Sequence, residues 1–242
     1  DGSTWTYTNT KYWPEGNPVS FVAYYPNLTT APTITDGATA IPFTVKNDAT
    51  EQVDFMWSTV KAATKDDKNG TAINGITNTT TDATSVPFVF QHGLSKISFK
   101  AKLGEASYSG VTIKVKSIKI NGVKNKGTFT IPADLTAGTW ATEDAATNDY
   151  TVSETNGKEI ASTTADSIGE SLLMIPQDMT IEIAYDLVYT NPAQTISNTK
   201  AIVLDDKSNW VMNQQYTYTL TISLETVQLT ASVGQFGANI DL

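Results

Sequence analysis

The C-terminal stretch from Tyr216 to Leu242 reads YTYTLTISLETVQLTASVGQFGANIDL. Apolar residues occupy every second position along most of it. Because successive side chains of a β-strand point to opposite faces, this alternation predicts strands with one buried face. The apolar positions change parity twice, first near Glu225 and Thr226 and again after Gly234. The first change predicts a β-bulge, and the second predicts a separate last strand that runs to the final residue.

The same alternation occurs upstream, from Ile97 to Leu103 and from Ile181 to Tyr189. No window shows a sustained apolar period of 3.6 residues, which a helix packed on a core requires. Further strands are predicted at Trp5 to Thr8, Val19 to Tyr25, Ile41 to Val45, Val53 to Val60, Val111 to Ile120, Thr128 to Ile131, Leu172 to Ile175 and Ile202 to Leu204. The sequence therefore predicts an all-β protein.

Two long polar stretches, Lys61 to Thr84 and Ala133 to Gly169, are predicted to be surface loops. The first marks a domain junction near Val86, which divides the chain into an N-terminal β-sandwich domain, residues 1–86, and a C-terminal β-sandwich domain, residues 87–242. The first domain holds fewer strands than a closed sandwich of about seven. A sandwich that lacks strands exposes an apolar groove and unpaired backbone groups, which another chain can fill.

Composition excludes several classes of function. The chain has 242 residues, 40% of them hydrophobic and 17% charged, which is typical of a globular protein. All 16 basic residues are lysine and the net charge is −9, so nucleic acid is not an expected partner. No apolar run is long enough to span a bilayer. The first residues resemble no signal peptide, so we expect a mature or trimmed form of an exported protein.

Little in the sequence points to chemistry. The chain has no cysteine and one histidine, His92, so neither a thiolate site nor a multi-histidine metal site is expected. His92 begins a predicted core strand and is interpreted as a packed, hydrogen-bonded residue. The acidic clusters at 66–70 and 205–209 each contain a lysine and lack the calcium-loop pattern, so solvated turns are predicted. We expect no catalytic residue, no metal, no cofactor and no enzymatic activity.

Several motifs in order carry a family resemblance. They are Trp5-Thr6-Tyr7, Tyr12-Trp13-Pro14, Phe21-Val22-Ala23-Tyr24-Tyr25-Pro26, Phe90-Gln91-His92-Gly93-Leu94-Ser95-Lys96-Ile97, Leu173-Met174-Ile175-Pro176-Gln177, and Trp210 followed by Tyr216-Thr217-Tyr218-Thr219-Leu220. In this order the chain resembles the fimbrillin family, the Mfa-like and FimA-like pilins of type V pili. The family often has tryptophan in its last strand, where this chain has Phe236.

The resemblance implies two tandem transthyretin-like β-sandwich domains, the first incomplete. It implies a lipoprotein precursor whose N-terminal strand is removed by proteolysis, and a cell-surface fimbrium anchored through the outer membrane. The implied function is that of a structural subunit in cell adhesion. Such subunits form a homopolymer, head to tail, by donor-strand insertion. Other pilin subunits are therefore the expected partners, with a host protein or glycan as a further one.

The predicted donor strand carries Val233, Phe236, Ala238, Ile240 and Leu242. From Phe236 onward, the apolar side chains could bury on the order of 200 to 300 Å², worth roughly 5 to 8 kcal/mol before ordering costs. The same residues could instead form an edge strand of their own subunit.

A tip adhesin or a carbohydrate-binding surface lipoprotein that does not polymerise is the alternative function. The aromatic group that would stack on a sugar in that case also suits a sandwich core, and it comprises Trp5, Tyr7, Tyr12, Trp13, Tyr24 and Tyr25.

Overall fold

The computed structural model describes residues 11–68, 70, 86–145, 147–203, 210–237 and 240–241. Within these ranges it contains β-strands, one 3-10 turn at Ala49–Glu51 and no α-helix, which confirms the all-β class. The strands are β1 (Val19–Tyr25), β2 (Thr33–Thr35), β3 (Ala38–Thr44), β4 (Met56–Ala63), β5 (Val89–His92), β6 (Ser95–Leu103), β7 (Val111–Lys124), β8 (Lys126–Ile131), β9 (Thr139–Thr142), β10 (Thr147–Ile160), β11 (Asp166–Met174), β12 (Thr180–Thr190), β13 (Ala193–Val203), β14 (Gln214–Ile222), β15 (Val227–Gln235) and β16 (Ile240–Asp241).

The strands form four sheets of four strands each. The orders β1-β4-β5-β16 and β2-β3-β8-β9 make up the first sandwich, and the orders β10-β7-β12-β13 and β11-β6-β14-β15 make up the second. Neighbouring strands are antiparallel, except that β14 pairs with β6 in parallel. β6 and β14 thus form the centre of a mixed sheet in the second sandwich.

Aromatic rings fill the core of the first sandwich. Trp57 on β4 and Phe129 on β8 belong to facing sheets, and their ring centroids are 5.2 Å apart. Phe55 lies 5.1 Å from Phe43 and from Phe129, and Trp140 on β9 lies 5.3 Å from Phe55. Edge-to-face and tilted ring pairs of this kind add specific geometry to the burial of a large apolar area. They hold the two sheets of the first sandwich face to face.

The core of the second sandwich follows the alternation in the sequence. On β6, buried residues from Ser95 to Leu103 alternate with half-buried ones, as the pattern predicted. Tyr218 on β14 stacks on Phe99 of β6 with centroids 5.9 Å apart. The Tyr218 hydroxyl accepts a hydrogen bond of 2.8 Å from the indole nitrogen of Trp210. Burial nevertheless raises the pKa of Tyr218 to about 12, because the charged form would be desolvated.

The two sandwiches are joined where β7 continues into β8 through Asn125. Val45 donates its backbone N–H to the carbonyl of Asn125 at 2.8 Å, and the Asn125 side chain donates back to the Val45 carbonyl at 3.1 Å. The Tyr150 hydroxyl donates to the same carbonyl at 3.2 Å. Gln177 accepts from the Lys124 amide at 2.8 Å and donates to the Lys124 carbonyl at 2.9 Å. These hydrogen bonds satisfy backbone groups that would be left unpaired where the chain passes from one sheet to another.

Two local predictions were wrong. The parity change near Glu225 is not a bulge but a hairpin turn, in which Ser223 donates to the Thr226 carbonyl at 2.8 Å and β15 returns antiparallel to β14. The predicted loop from 133 to 169 contains β9, β10 and the start of β11. β10 pairs along β7 through backbone hydrogen bonds, which its polar composition does not prevent.

The division into residues 1–86 and 87–242 stays a prediction. The structure adds one fact that bears on it, since β3 pairs with β8 from Thr39 opposite Ile131 to Thr44 opposite Lys126. A sheet of the first sandwich therefore contains strands from both sides of Val86. Of the predicted loop from 61 to 84, position 69 and positions 71–84 lie outside the described residues.

Candidate functional site at the C-terminal strand

The last described strand, β16, lies at the edge of a sheet in the first sandwich. It runs antiparallel to β5, with Ile240 opposite Phe90 and Asp241 opposite Val89. β5 in turn pairs with β4. The chain therefore leaves the second sandwich after β15 and returns to the first, where its end is added beside β5. An edge strand is held on one side alone, so its pairing is open to exchange with another strand.

The structure places the predicted donor residues in different surroundings. Val233 lies on β15 opposite Tyr216, and its side chain is 59% exposed. Phe236 follows β15 and is buried, with 8% of its surface exposed. Ile240 is in β16, while Ala238 and Leu242 lie outside the described residues. Their assignment as donor residues stays a prediction.

Phe236 attaches the tail to the first sandwich through its ring. The ring stacks on His92 at the end of β5, with centroids 4.0 Å apart and an interplanar angle of 23°. The ammonium group of Lys96 lies 5.7 Å from the centroid of the Phe236 ring. Gly237 follows with a φ of +72°, a conformation that glycine adopts without steric cost. Phe236 is thus a packed residue at the start of the tail, and the chain turns at the next residue.

His92 is held from its other side by a carboxylate. Its Nδ1 contacts Oδ2 of Asp54, and both side chains are mostly buried. The second oxygen of Asp54, Oδ1, is buried and accepts no hydrogen bond from any residue that the structure describes. His92 is therefore packed and hydrogen-bonded, in keeping with the interpretation from the sequence. Its ring forms the surface on which the tail residue Phe236 rests.

A set of hydrogen bonds brings together two of the passages between the sandwiches, the one after β5 and the one after β15. Phe236 donates its N–H to the Asn213 carbonyl at 3.1 Å, and Asn213 donates to the Leu94 carbonyl at 3.1 Å. The indole nitrogen of Trp140 donates to the Gly93 carbonyl at 2.7 Å. The outgoing passage at Gly93 and Leu94 and the returning passage at Phe236 thus lie side by side. Through Asn213, hydrogen bonds thus link the start of the tail to a segment that connects the two sandwiches.

Sequence reasoning missed Asp54 and Asn213. Asp54 lies 38 positions before His92, and Asn213 lies between Met212 and Gln214 in a short loop. Neither belongs to a motif that indicates its partner. Only the pairing of β4 with β5 and of β14 with β6 brings them beside the tail.

The predicted aromatic group is only partly assembled. Trp5 and Tyr7 lie outside the described residues, while Tyr12 is 87% exposed and Tyr25 is 47% exposed. Trp13 packs edge-on against Phe21 with centroids 5.7 Å apart. Trp13 therefore covers β1, and no sugar-stacking platform of several coplanar rings is formed by the described members of the group.

Among the residues that the structure describes, no group of three histidine, cysteine, aspartate or glutamate side chains is placed to hold a metal ion. Within the same residues, no helix is long and apolar enough to cross a membrane.

The fold and the site define a double β-sandwich protein whose last strand lies at a sheet edge. The chain belongs to the fimbrillin-like family, whose model matches residues 1–235. Membership of this family supports a fimbrial subunit at the cell surface and points to a structural rather than an enzymatic role.

Solved structures show the same fold. A fimbrial protein from Bacteroides vulgatus is 20% identical, with a TM-score of 0.64 over 98% of this chain and 83% of that chain. A candidate cell adhesion protein from Bacteroides uniformis is 20% identical, with a TM-score of 0.53 over 97% of this chain and 79% of that chain. Another from Parabacteroides distasonis is 11% identical, with a TM-score of 0.50 over 98% and 94% of the two chains. A comparison with curated proteins gave no match.

Proposed function

We propose that the protein is a structural subunit of a surface fimbria that polymerises head to tail by donor-strand insertion. In this proposal the tail from Phe236 onward pairs with β5 of the next subunit, in place of the pairing that Ile240 and Asp241 make with β5 of their own chain. The observation that carries the proposal is the position of β16 at the outer edge of β5. Family membership supports the fimbrial part of the proposal.

An exchange is supported because two copies of β5 offer the tail the same contacts. Among the described residues, β16 pairs with β5 at Ile240 and Asp241. Each backbone hydrogen bond contributes about 0.5 to 1.5 kcal/mol net, whichever copy of β5 supplies the partner. Every contact that the tail makes with β5 of its own chain can be made with β5 of an identical neighbour. The exchange therefore costs little enthalpy and needs only that the tail be released.

The direction of the contact determines the kind of assembly. The tail of one subunit and β5 of the next are different surfaces, so the interface is heterologous. When the rotation between subunits does not close a ring, a heterologous contact repeats without limit and forms a filament. Val233 lies on β15, which pairs with β14 along its length, so the exchange can leave β15 intact and begin at Phe236. We extend the proposal to anchoring at the outer membrane from a lipoprotein precursor.

Cysteine cross-linking tests the exchange, and the absence of native cysteine makes the result unambiguous. Val89 and Asp241 are register partners, so a cysteine at each position would lie within disulfide reach. Two single variants, Val89→Cys and Asp241→Cys, are mixed, allowed to assemble and oxidised. Since each chain then carries one thiol, a disulfide between positions 89 and 241 can form only between subunits. Mixing Val89→Cys with Thr230→Cys, an exposed position on β15, serves as the matched control.

We expect covalent dimers from the first mixture, in proportion to fibre formation, and only background from the control. The double variant, oxidised as a monomer, should be closed within one chain and form no fibres until a reductant is added. Fibres seen by electron microscopy that contain no disulfide between positions 89 and 241 would refute donor-strand exchange. Binding of a host ligand by protein that never polymerises would favour the adhesin alternative.

A further inference from the structure

One face of the second sandwich carries lysines that make no ion pair among the residues that the structure describes. It is the outer face of the sheet β11-β6-β14-β15, and we name it the lysine face. Its central residues alternate with buried ones along two strands that pair in parallel. They are Lys96, Ser98, Lys100 and Lys102 on β6, opposite Gln215, Thr217, Thr219 and Thr221 on β14.

On the other sheet of the same sandwich, lysines lie beside acidic residues. Lys119 on β7 lies opposite Glu182 on β12 and makes an ion pair of 2.7 Å with Asp149. Lys114 lies opposite Asp186 on one side and opposite Glu159 on the other. Cross-strand pairs of opposite charge stabilise a sheet, and this is the common arrangement.

The lysine face lacks such partners. Within the described residues, Lys96, Lys100 and Lys102 make no ion pair. Their cross-strand neighbours on β14 are amide and hydroxyl side chains, and Ser167 lies opposite Lys100 on β11. At about 3.3 Å per residue, the three ammonium groups extend over roughly 20 Å of β6. The repulsion between them is unfavourable in the free protein, and a bound polyanion would remove it.

A shallow cleft of about 240 Å³ lies in this face beside Lys100. It forms where β11 bulges, since Ile168 pairs with Phe99 and Leu172 with Ile97, so that extra residues face Ser98. The cleft is lined mainly by hydroxyl, amide and charged groups, and the hydroxyls of Ser98 and Ser171 are 2.8 Å apart. Glu170 is the one carboxylate in its lining, and it can accept hydrogen bonds from ligand hydroxyls.

We propose that the lysine face binds a linear acidic polysaccharide. The ammonium groups suit carboxylate or sulfate groups along the polymer, and the hydroxyl and amide groups between them suit the hydroxyls of the sugar rings. Nucleic acid fits less well, because the outward side chains of β6 and β14 on this face include no aromatic ring for base stacking and the chain has no arginine. The protein has a net charge of −9, so a positively charged face differs in sign from the protein as a whole. The proposal does not depend on how subunits are joined.

The test uses the full chain and compares two variants of equal net charge. In the face variant, Lys96, Lys100 and Lys102 are each replaced by glutamine. In the control variant, Lys114, Lys116 and Lys119 on the opposite sheet are replaced in the same way. Binding to immobilised heparin and polygalacturonate is measured at low and at physiological salt, with dextran as the uncharged probe and duplex DNA as the rival polyanion. Circular dichroism and urea unfolding verify that each variant is folded.

We expect the native chain to bind at least one acidic polysaccharide and not dextran. The face variant should lose about tenfold or more in affinity, with a shallower salt dependence, and the control variant should be nearly unchanged. A second variant, Ser98→Ala with Ser171→Ala, keeps every charge and should weaken binding if the cleft holds a sugar ring.

Four outcomes overturn the proposal. They are equal losses in the face and control variants, no binding by the native chain, duplex DNA bound as tightly as polysaccharide, and an effect of the face variant on self-association alone.

Discussion

Replacement of Phe236 by alanine tests whether one aromatic ring holds the C-terminal tail on the first sandwich. The ring is 8% exposed and stacks on His92 with centroids 4.0 Å apart. Burying a phenylalanine side chain is worth about 1.5 to 3 kcal/mol, and a cavity left in a core adds to the loss. Because this ring lies near a chain end where the tail can readjust, we expect a loss of about 2 to 3 kcal/mol in the free energy of unfolding.

The assay is urea denaturation of four proteins: the native chain, Phe236→Ala, a chain ending at Gly237, and the combination of the last two. If Phe236 is the anchor, removing residues 238–242 should cost measurable stability in the native background and almost none in the alanine background. The coupling between the two changes is read from the double-mutant cycle. Val233→Ala is the matched control, since Val233 is 59% exposed and should change stability by less than about 0.5 kcal/mol.

The reasoning would be refuted if Phe236→Ala behaved like Val233→Ala, or if removal of the tail cost the same in both backgrounds. Either result would mean that the tail is attached to β5 by the backbone ladder or not at all. Under donor-strand exchange, the same substitution should also weaken fibres, because the ring would make its contact with a neighbouring subunit.

Three further predictions concern the fold. Burial raises the pKa of Tyr150 to about 12, above the value near 10 that a tyrosine has in an unfolded chain. The contribution of the neutral hydroxyl to the free energy of unfolding is therefore fully present below pH 10 and is lost as the pH rises toward 12. Over this range the urea midpoint of Tyr150→Phe should fall less steeply than that of the native chain. Asn125→Ala leaves a buried carbonyl of the joint with fewer donors and should cost about 1 to 3 kcal/mol by urea unfolding. A Cβ on Gly169 would lie 2.0 Å from Val152, at a φ of +56°, so Gly169→Ala should lower the melting temperature by several degrees, whereas Gly234→Ala, with open space around it, should not.

The strands with the clearest alternation could be predicted from the sequence, and so could the direction of their side chains. β6, β12 and β14 bury the positions that the pattern indicated, because alternation is a local property that any strand with one wet face must show. The packed state of His92 and the separate last strand also followed from local pattern.

Strands with polar composition were less readable. β10, from Thr147 to Ile160, is rich in Thr, Asn, Asp and Glu and was predicted to be loop. Its pairing with β7 satisfies its backbone groups whatever its outward side chains are. The turn at Leu224 and Glu225 carries no glycine, proline or asparagine, so the change of parity there was interpreted as a bulge. In both cases the backbone partner, which no local pattern names, decided the structure.

Residue alternation by itself determined that this chain is all-β, which faces of its main strands are buried and that a separate strand follows Gly234. Tertiary structure alone decided which strands are neighbours: β3 beside β8, β14 parallel to β6, and the last strand beside β5. It also brought Asp54 to His92 and placed the lysines of β6 opposite amide and hydroxyl side chains of β14. The physical reason is that side-chain alternation is encoded within a few residues. Backbone hydrogen bonds, in contrast, are chemically the same for every residue and do not specify which strands pair.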